Sequence, residues 1–245
     1  MSEQAVAFEA LVEDYDAARP SYPEALYDAL PPLSGTRVLE LGAGTGKQLP
    51  GLLARGARLV STDRGPNMLG RLHRCFPDVP VAVARAEQLP FAAGGFDGVC
   101  GAQMWHWVDA PLAAREVARV LRPGGWLALW WNDVLADGEP WYDAQQDRLE
   151  AASVTGYRRD YRTTDFTPAL REVFSSVQQW SGTWRRTLSW ELYERCCAAS
   201  PTSPRCPTPR PSWRPSGPRW APPSPTGASS SRFASSGCSR GPRSL

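Results

Sequence analysis

Residues 38–47, V-L-E-L-G-A-G-T-G-K, constrain the fold of this chain more than any other stretch. A short apolar run leads into Gly42, Gly44 and Gly46, set two apart, and the composition that follows suits a helix. Glycine at alternate positions after a buried strand lets the backbone turn tightly and approach a ligand more closely than a Cβ allows. The pattern is not a dinucleotide fingerprint, because counting G-x-G-x-x-G from Gly42 puts the third glycine on Lys47. It is not a phosphate-binding P-loop either: Leu41 stands where the first glycine belongs, and Gln48 follows the lysine. A cofactor floor and a plain tight turn both remain open on these residues alone.

The flanking chain alternates strand and helix patterns, the signature of a parallel α/β sheet. Strands are expected at 37–41, 58–62, 79–84, 96–101 and 126–131, with helices at 48–54, at 66–74 and from 111 to the Pro123-Gly124-Gly125 stop. Helical spacing of Phe8, Leu11, Val12 and Tyr15 predicts a helix over 8–18, and a short second helix is expected at 24–30 before Pro31-Pro32. Helices at 141–154 and 168–174 and a strand at 177–188 complete the pattern. Asp63 falls at the carboxyl end of the second strand, where ligands bind in open parallel sheets and an acid can accept ribose hydroxyls. Capping of the helix at 66–74 is its alternative role.

Four segments carry a family resemblance. E-L-G-A-G-T-G, 40–46, resembles motif I of the class I S-adenosylmethionine-dependent methyltransferases. Y-D-A-A-R-P-S-Y-P, 15–23, resembles the entry segment of small-molecule methyltransferases of the ubiquinone and menaquinone biosynthesis type. R-A-E-Q-L-P-F, 85–91, is similar to that family's A-E-x-L-P-F segment, although many relatives carry aspartate where Arg85 stands. R-E-V-A-R-V-L-R-P-G-G-W-L-A-L, 115–129, is a further recognisable piece. Together they span 15–131 in the family's order and spacing.

The resemblance implies a Rossmann-like, doubly wound, mostly parallel sheet and transfer of a methyl group from S-adenosyl-L-methionine to a small-molecule acceptor by direct in-line displacement. It implies a cofactor site of Glu40, Gly42, Gly44, Gly46, Asp63, Arg64, Ala86, Glu87, Gln103 and Trp105. The glycines would admit the methionine part, Asp63 the ribose, Ala86 and Glu87 the adenine edge, and Gln103 and Trp105 would wall the sulfonium. His106 stands at the tip of the fourth strand, where a base for an acceptor hydroxyl would sit, or packs between Trp105 and Trp107. Tyr15, Arg19, Tyr22 and Trp107 would border the acceptor, with Arg19 able to fork a carboxylate. No metal is expected.

Charge distinguishes the two ends of the chain. Residues 196–245 hold seven arginines and no acid, so 1–195 hold 20 basic against 25 acidic side chains. A mildly acidic body argues against a nucleic-acid face. The start lacks a basic and apolar leader, and the strongest apolar run, 126–131, is too short for a membrane span, so a cytoplasmic protein is expected. Cys75 and Cys100 read as reduced core residues.

The expected organisation is a methyltransferase domain over 1–195, with a helical cap over 1–34, and a disordered tail over 196–245 that leaves the sheet without its last antiparallel strand. That tail has 11 prolines and 12 serines, and no helix or strand is expected in it. Loss of that portion would leave a catalytically impaired SAM-binding or scaffold protein as the alternative function. Two readings of the composition stand, a disordered basic tail for nucleic acid or an anionic membrane and a slipped frame: read one base early from codon 198, each Pro codon becomes Ala, Ser, Thr or Pro and each Trp or Cys codon becomes Leu, Val or Met. The shifted frame permits R-S-F-S-Y-V-A-A-L-P-D-A-E-A-E-L-A-A-V-R-A-A-L-G, an amphipathic helical sequence that resembles the S-x-S-Y-V-A-A-L-P segment of relatives. Sequencing the coding DNA across codons 190–200 is expected to show the slip; an intact frame in independent clones rules it out.

Overall fold

A computed structural model describes residues 16, 19–134, 140, 143, 144, 147, 150, 151, 164–187 and 226–236. The chain divides into two compact units. One comprises 20–133, 160–182 and 230–245 and carries most of the sheet and its helices; the other comprises 1–19, 134–159 and 183–229.

In the first unit β1 (Arg37–Leu41) is flanked by parallel β2 (Arg58–Asp63) and β4 (Phe96–Ala102). β3 (Val81–Val83) extends the sheet beyond β2, and β5 (Leu121–Val134) pairs parallel to β4. With β6 (Trp180–Thr187) and β7 (Thr226–Ser236) the strand order is β3-β2-β1-β4-β5-β7-β6. The order reverses direction at β1/β4, the switch point at which open α/β sheets hold ligands beyond their carboxyl ends.

β1 reads R-V-L-E-L and is buried from Val38 onward, because helices cover both faces and leave no polar side to alternate with. Successive side chains divide the core into two clusters. Val38, Cys100, Ala128 and Trp130 face α1 (Glu24–Asp28), α2 (Leu49–Ala54) and α3 (Pro66–Cys75), through Leu26, Tyr27, Leu49, Leu52, Leu69 and Leu72. Leu39, Leu41, Val99, Leu127 and Leu129 face α4 (Ala110–Val120) and α5 (Thr167–Arg171), through Ala113, Val117, Val120 and Leu170. A single 3₁₀ turn, Trp105–Trp107, joins β4 to α4.

Several boundaries differ from the sequence expectations for local reasons. α4 ends at Val120, ahead of the Pro-Gly-Gly stop, because Leu121 is already extended and its backbone joins Phe96 in the ladder. The 122–125 segment then bulges, and pairing resumes at Gly98 and Trp126. β3 is confined to three residues, while Val79 turns into the core. The helices expected at 8–18 and 141–154 lie mostly outside the described residues, as does the 195/196 boundary; positions 16, 140, 143, 144, 147, 150 and 151 are helical.

The expectation of a tail without regular structure, and of a sheet lacking its last strand, is corrected by β7, which stands between β5 and β6. Residues 226–241 are the longest proline-free stretch after 195, so each N–H within 226–236 can enter a ladder. An apolar β5 edge with unpaired backbone groups is a template for such a segment.

Asp109 caps α4 by accepting the Leu112 N–H at 3.0 Å. Asp109→Ala is expected to cost about 1 kcal/mol in urea unfolding, with Asp109→Asn retaining most of that stability.

Candidate functional site

Beyond β1 the backbone enters the left-handed region at Gly42 (φ 59°), Gly44 (φ 54°) and Gly46 (φ 88°). The turn fits closely against β4's exit: a Cβ on Gly42 would stand 2.7 Å from the Met104 Cβ. Above Gly44, in contrast, lies open space, with nothing within 4 Å of where its Cβ would be. The turn is tied to β2 by the Ala43 N–H, which donates to the Thr62 carbonyl at 2.9 Å.

Asp63 completes the bracing. One carboxylate oxygen accepts the Gly44 N–H at 2.8 Å, and the other accepts the Gly65 N–H at the start of α3, also at 2.8 Å. The residue therefore sits where the sequence puts a ribose ligand and also closes the turn into α3. Beside it, the Arg64 Nε is buried without a hydrogen-bond partner.

A polar layer lies beneath the turn, on the α1/α2 face. Glu40 is fully buried and accepts the Ser61 hydroxyl through Oε2, and the Thr62 hydroxyl donates to the Glu40 carbonyl at 2.9 Å. Burial pushes the Glu40 carboxyl up to about 8, helped by the Asp63 charge and opposed by hydrogen bonds from Ser61 and Gln48. Tyr27 donates its hydroxyl to the Gln48 carbonyl at 3.2 Å, and burial raises both the Tyr27 phenol and the Cys100 thiol. Three buried oxygens, Glu40 Oε1, Thr45 Oγ1 and Gln48 Oε1, have no hydrogen-bond partner.

Across the crevice, Gln103 is held at φ 55°, the one non-glycine residue with positive φ among the described residues. Its N–H donates to the Trp130 carbonyl at 2.9 Å and its Nε2 to the Asn132 carbonyl at 2.8 Å, tying β4's exit to β5. Such a conformation costs on the order of 1 kcal/mol and persists because these bonds hold it. Trp105 is fully buried among the α4-side core residues, behind the crevice. His106 is half-buried, and its Nδ1 accepts the Trp131 indole N–H at 3.2 Å. Trp131 stacks on Phe166, centroids 5.6 Å apart and planes 8° from parallel, while Trp107 is 40% exposed next to the His106 ring.

The third rim is the 85–91 loop, in which Ala86 is buried. Glu87 accepts the Asp109 N–H at 3.1 Å and pairs with Arg85 at 3.4 Å, so its carboxylate is turned toward the start of α4. Burial works to raise the Glu87 carboxyl, but those partners bring it below the usual range. Arg119 bolts the loop to α4, donating to the Phe91 and Leu89 carbonyls at 2.8 and 3.0 Å and pairing with Glu116, which accepts the Leu89 N–H at 2.8 Å. Tyr22 packs edge-on against Trp130 with centroids 6.0 Å apart; Arg19 is half-buried, and Tyr15 lies outside the described residues.

The structure thus brings Glu40, the three glycines, Asp63 and Gln103 to one switch point. Sequence reading missed Met104, Gln48, Ser61 and Trp131, and passed over Glu116 and Arg119, whose i, i+3 opposite charges were a usable signal. Among the described residues no cluster could hold a metal ion, and no helix is long and apolar enough to cross a membrane.

A family model described as "Methyltransferase domain" matches residues 39–129, from within β1 to within β5. An uncharacterized methyltransferase of Mycobacterium tuberculosis is 37% identical over 191 residues, covering 76% of this chain and 73% of the relative. A demethylmenaquinone methyltransferase of Beutenbergia cavernae is 39% identical over 106 residues, 43% of this chain and 44% of that protein. A SAM-dependent methyltransferase of Thermotoga maritima shares the fold, with a TM-score of 0.53 at 18% identity over 94% of this chain and 98% of that one.

Glu40 gives the site a pH signature. A carboxyl raised from 4.5 to about 8 on folding keeps its proton in the native state while the unfolded chain loses it. Its contribution is therefore full below pH 4.5 and is lost as pH rises toward 8. Urea unfolding is expected to show a loss on the order of a few kcal/mol across that window, absent in Glu40→Gln, whose amide stays neutral.

Proposed function

This chain belongs to the SAM-dependent methyltransferase family, and from that premise we propose that it moves the methyl group of S-adenosyl-L-methionine to a small-molecule acceptor by direct in-line displacement. The observation that carries this reading is the glycine turn at the β1/β4 switch point: three left-handed glycines, open space over the middle one, and Asp63 bracing it.

The residues present suit the cofactor. Open space over Gly44 is a cradle that any side chain there would fill. The unpartnered oxygens of Thr45 and Gln48 are acceptors suited to an ammonium group at the methionine end. Gly42, Gly44 and Gly46 would admit that end, Asp63 at the carboxyl end of β2 would take the ribose with Arg64 beside it, and Ala86 with Glu87 would edge the adenine. When bound, S-adenosylmethionine supplies an electrophilic methyl carbon on a sulfonium.

The protein's task is then positional, since a displacement requires acceptor and methyl to be held in line. Gln103, fixed by its two bonds to β5, and Met104, seated on Gly42, form the opposite wall, with Trp105 behind them. A small-molecule acceptor agrees with the partial similarity to a demethylmenaquinone methyltransferase and with the acidic body of the chain. Tyr22, Trp107 and His106 are the described candidates to border it.

Isothermal titration with S-adenosylmethionine is expected to give a dissociation constant between about 1 μM and 1 mM. Gly44→Val, which places a branched side chain at positive φ in the open space, is expected to abolish that binding in a chain that still unfolds cooperatively. Absence of heat from the unaltered protein at millimolar ligand overturns the proposal.

A further inference from the structure

Trp131 decides what His106 can do. An indole N–H can only donate, so the His106 Nδ1 that receives it at 3.2 Å must present a lone pair. The neutral imidazole then carries its hydrogen on Nε2. The opposite tautomer would set two N–H groups against each other across that contact. Trp131 cannot easily swing away, because it is stacked face to face on Phe166. Taking a proton from an acceptor at Nε2 requires the tautomer that this arrangement excludes.

We propose that His106 serves the acceptor as a hydrogen-bond donor through Nε2–H rather than as a base, that Trp131 is the positioning residue that fixes this tautomer, and that the acceptor is a flat molecule bearing an ionisable hydroxyl. The proposal rests on the methyltransferase reading of the site. Flatness follows from the surroundings of His106, the parallel Trp131/Phe166 pair and the exposed Trp107. Donation to an oxygen stabilises its ionised form. The acceptor therefore binds as an oxyanion: its O–H bond breaks with the electron pair left on oxygen, the proton goes to solvent, and His106 stays neutral.

Two measurements on the full chain, made without S-adenosylmethionine, test this. With only two histidines in the sequence, His73 and His106, long-range ¹H–¹⁵N correlation spectra are assigned by comparison with His106→Gln. The expected spectrum shows His106 as the Nε2–H tautomer, and a mixture of tautomers in Trp131→Phe. A wild-type Nδ1–H form, or no change in Trp131→Phe, overturns the positioning role. Titration with 4-nitrophenol then reports ionisation directly through its yellow phenolate. The bound probe is expected to ionise more readily than the free one while His106 remains neutral, and binding is expected to weaken about tenfold or more in His106→Leu but much less in His106→Gln. No binding by the unaltered protein, binding indifferent to His106→Leu, or an imidazolium in the complex overturns the donor role. Failure of S-adenosylmethionine to bind in a separate titration would remove the methyltransferase reading and leave the tautomer result standing.

Discussion

The carboxylate of Asp63 is the hinge pin of the structure. Its two oxygens accept N–H groups from Gly44 and Gly65, so one side chain at the end of β2 holds both the glycine turn after β1 and the entry into α3. Charge-assisted bonds to backbone N–H groups are stronger than neutral ones, and here they add to the backbone bonds Ala43 N–H to Thr62 and Gly46 N–H to Ala43 that also hold the turn. Gly42 can then sit against Met104, and through Met104 the position of the β4 exit is coupled to β1. Three strand ends are registered by one acid.

Under that turn the protein buries a polar layer where an apolar one would be simpler. Glu40 lies between leucines in the buried part of β1, and burial keeps its carboxyl protonated at neutral pH. Unsatisfied oxygens in such a layer are costly unless something meets them. A ligand that met them would give the layer a reason: it is stable enough to fold and incomplete enough to bind.

Much of this was legible in the sequence. The order of strands and helices through 131, the glycine turn and the placement of Asp63 followed from periodicity and punctuation, because parallel strands covered on both faces announce themselves as apolar runs. Three things were not legible. The partner of His106 lies 25 residues away on β5, and no spacing rule connects a histidine at a strand tip to a tryptophan on the neighbouring strand. Trp105 reads as a wall residue beside Gln103, yet the 3₁₀ turn rotates it fully into the core. Composition described the tail as featureless, whereas strand formation at 226–236 depends on the absence of proline over a short window and on an available edge.

The two core clusters are separated by the sheet, and the site is divided along the same plane. Glu40, Ser61, Gln48 and Tyr27 belong to the α1/α2 side, while His106, Trp131 and Phe166 group with α4 and α5. The strand ends and Gln103 are common to both. Natural variation can therefore rework one side at a time: substitutions that recut the aromatic wall are insulated from the floor by a layer of hydrogen-bonded backbone. In such a lineage acceptor preference can drift quickly while the glycine turn stays unchanged.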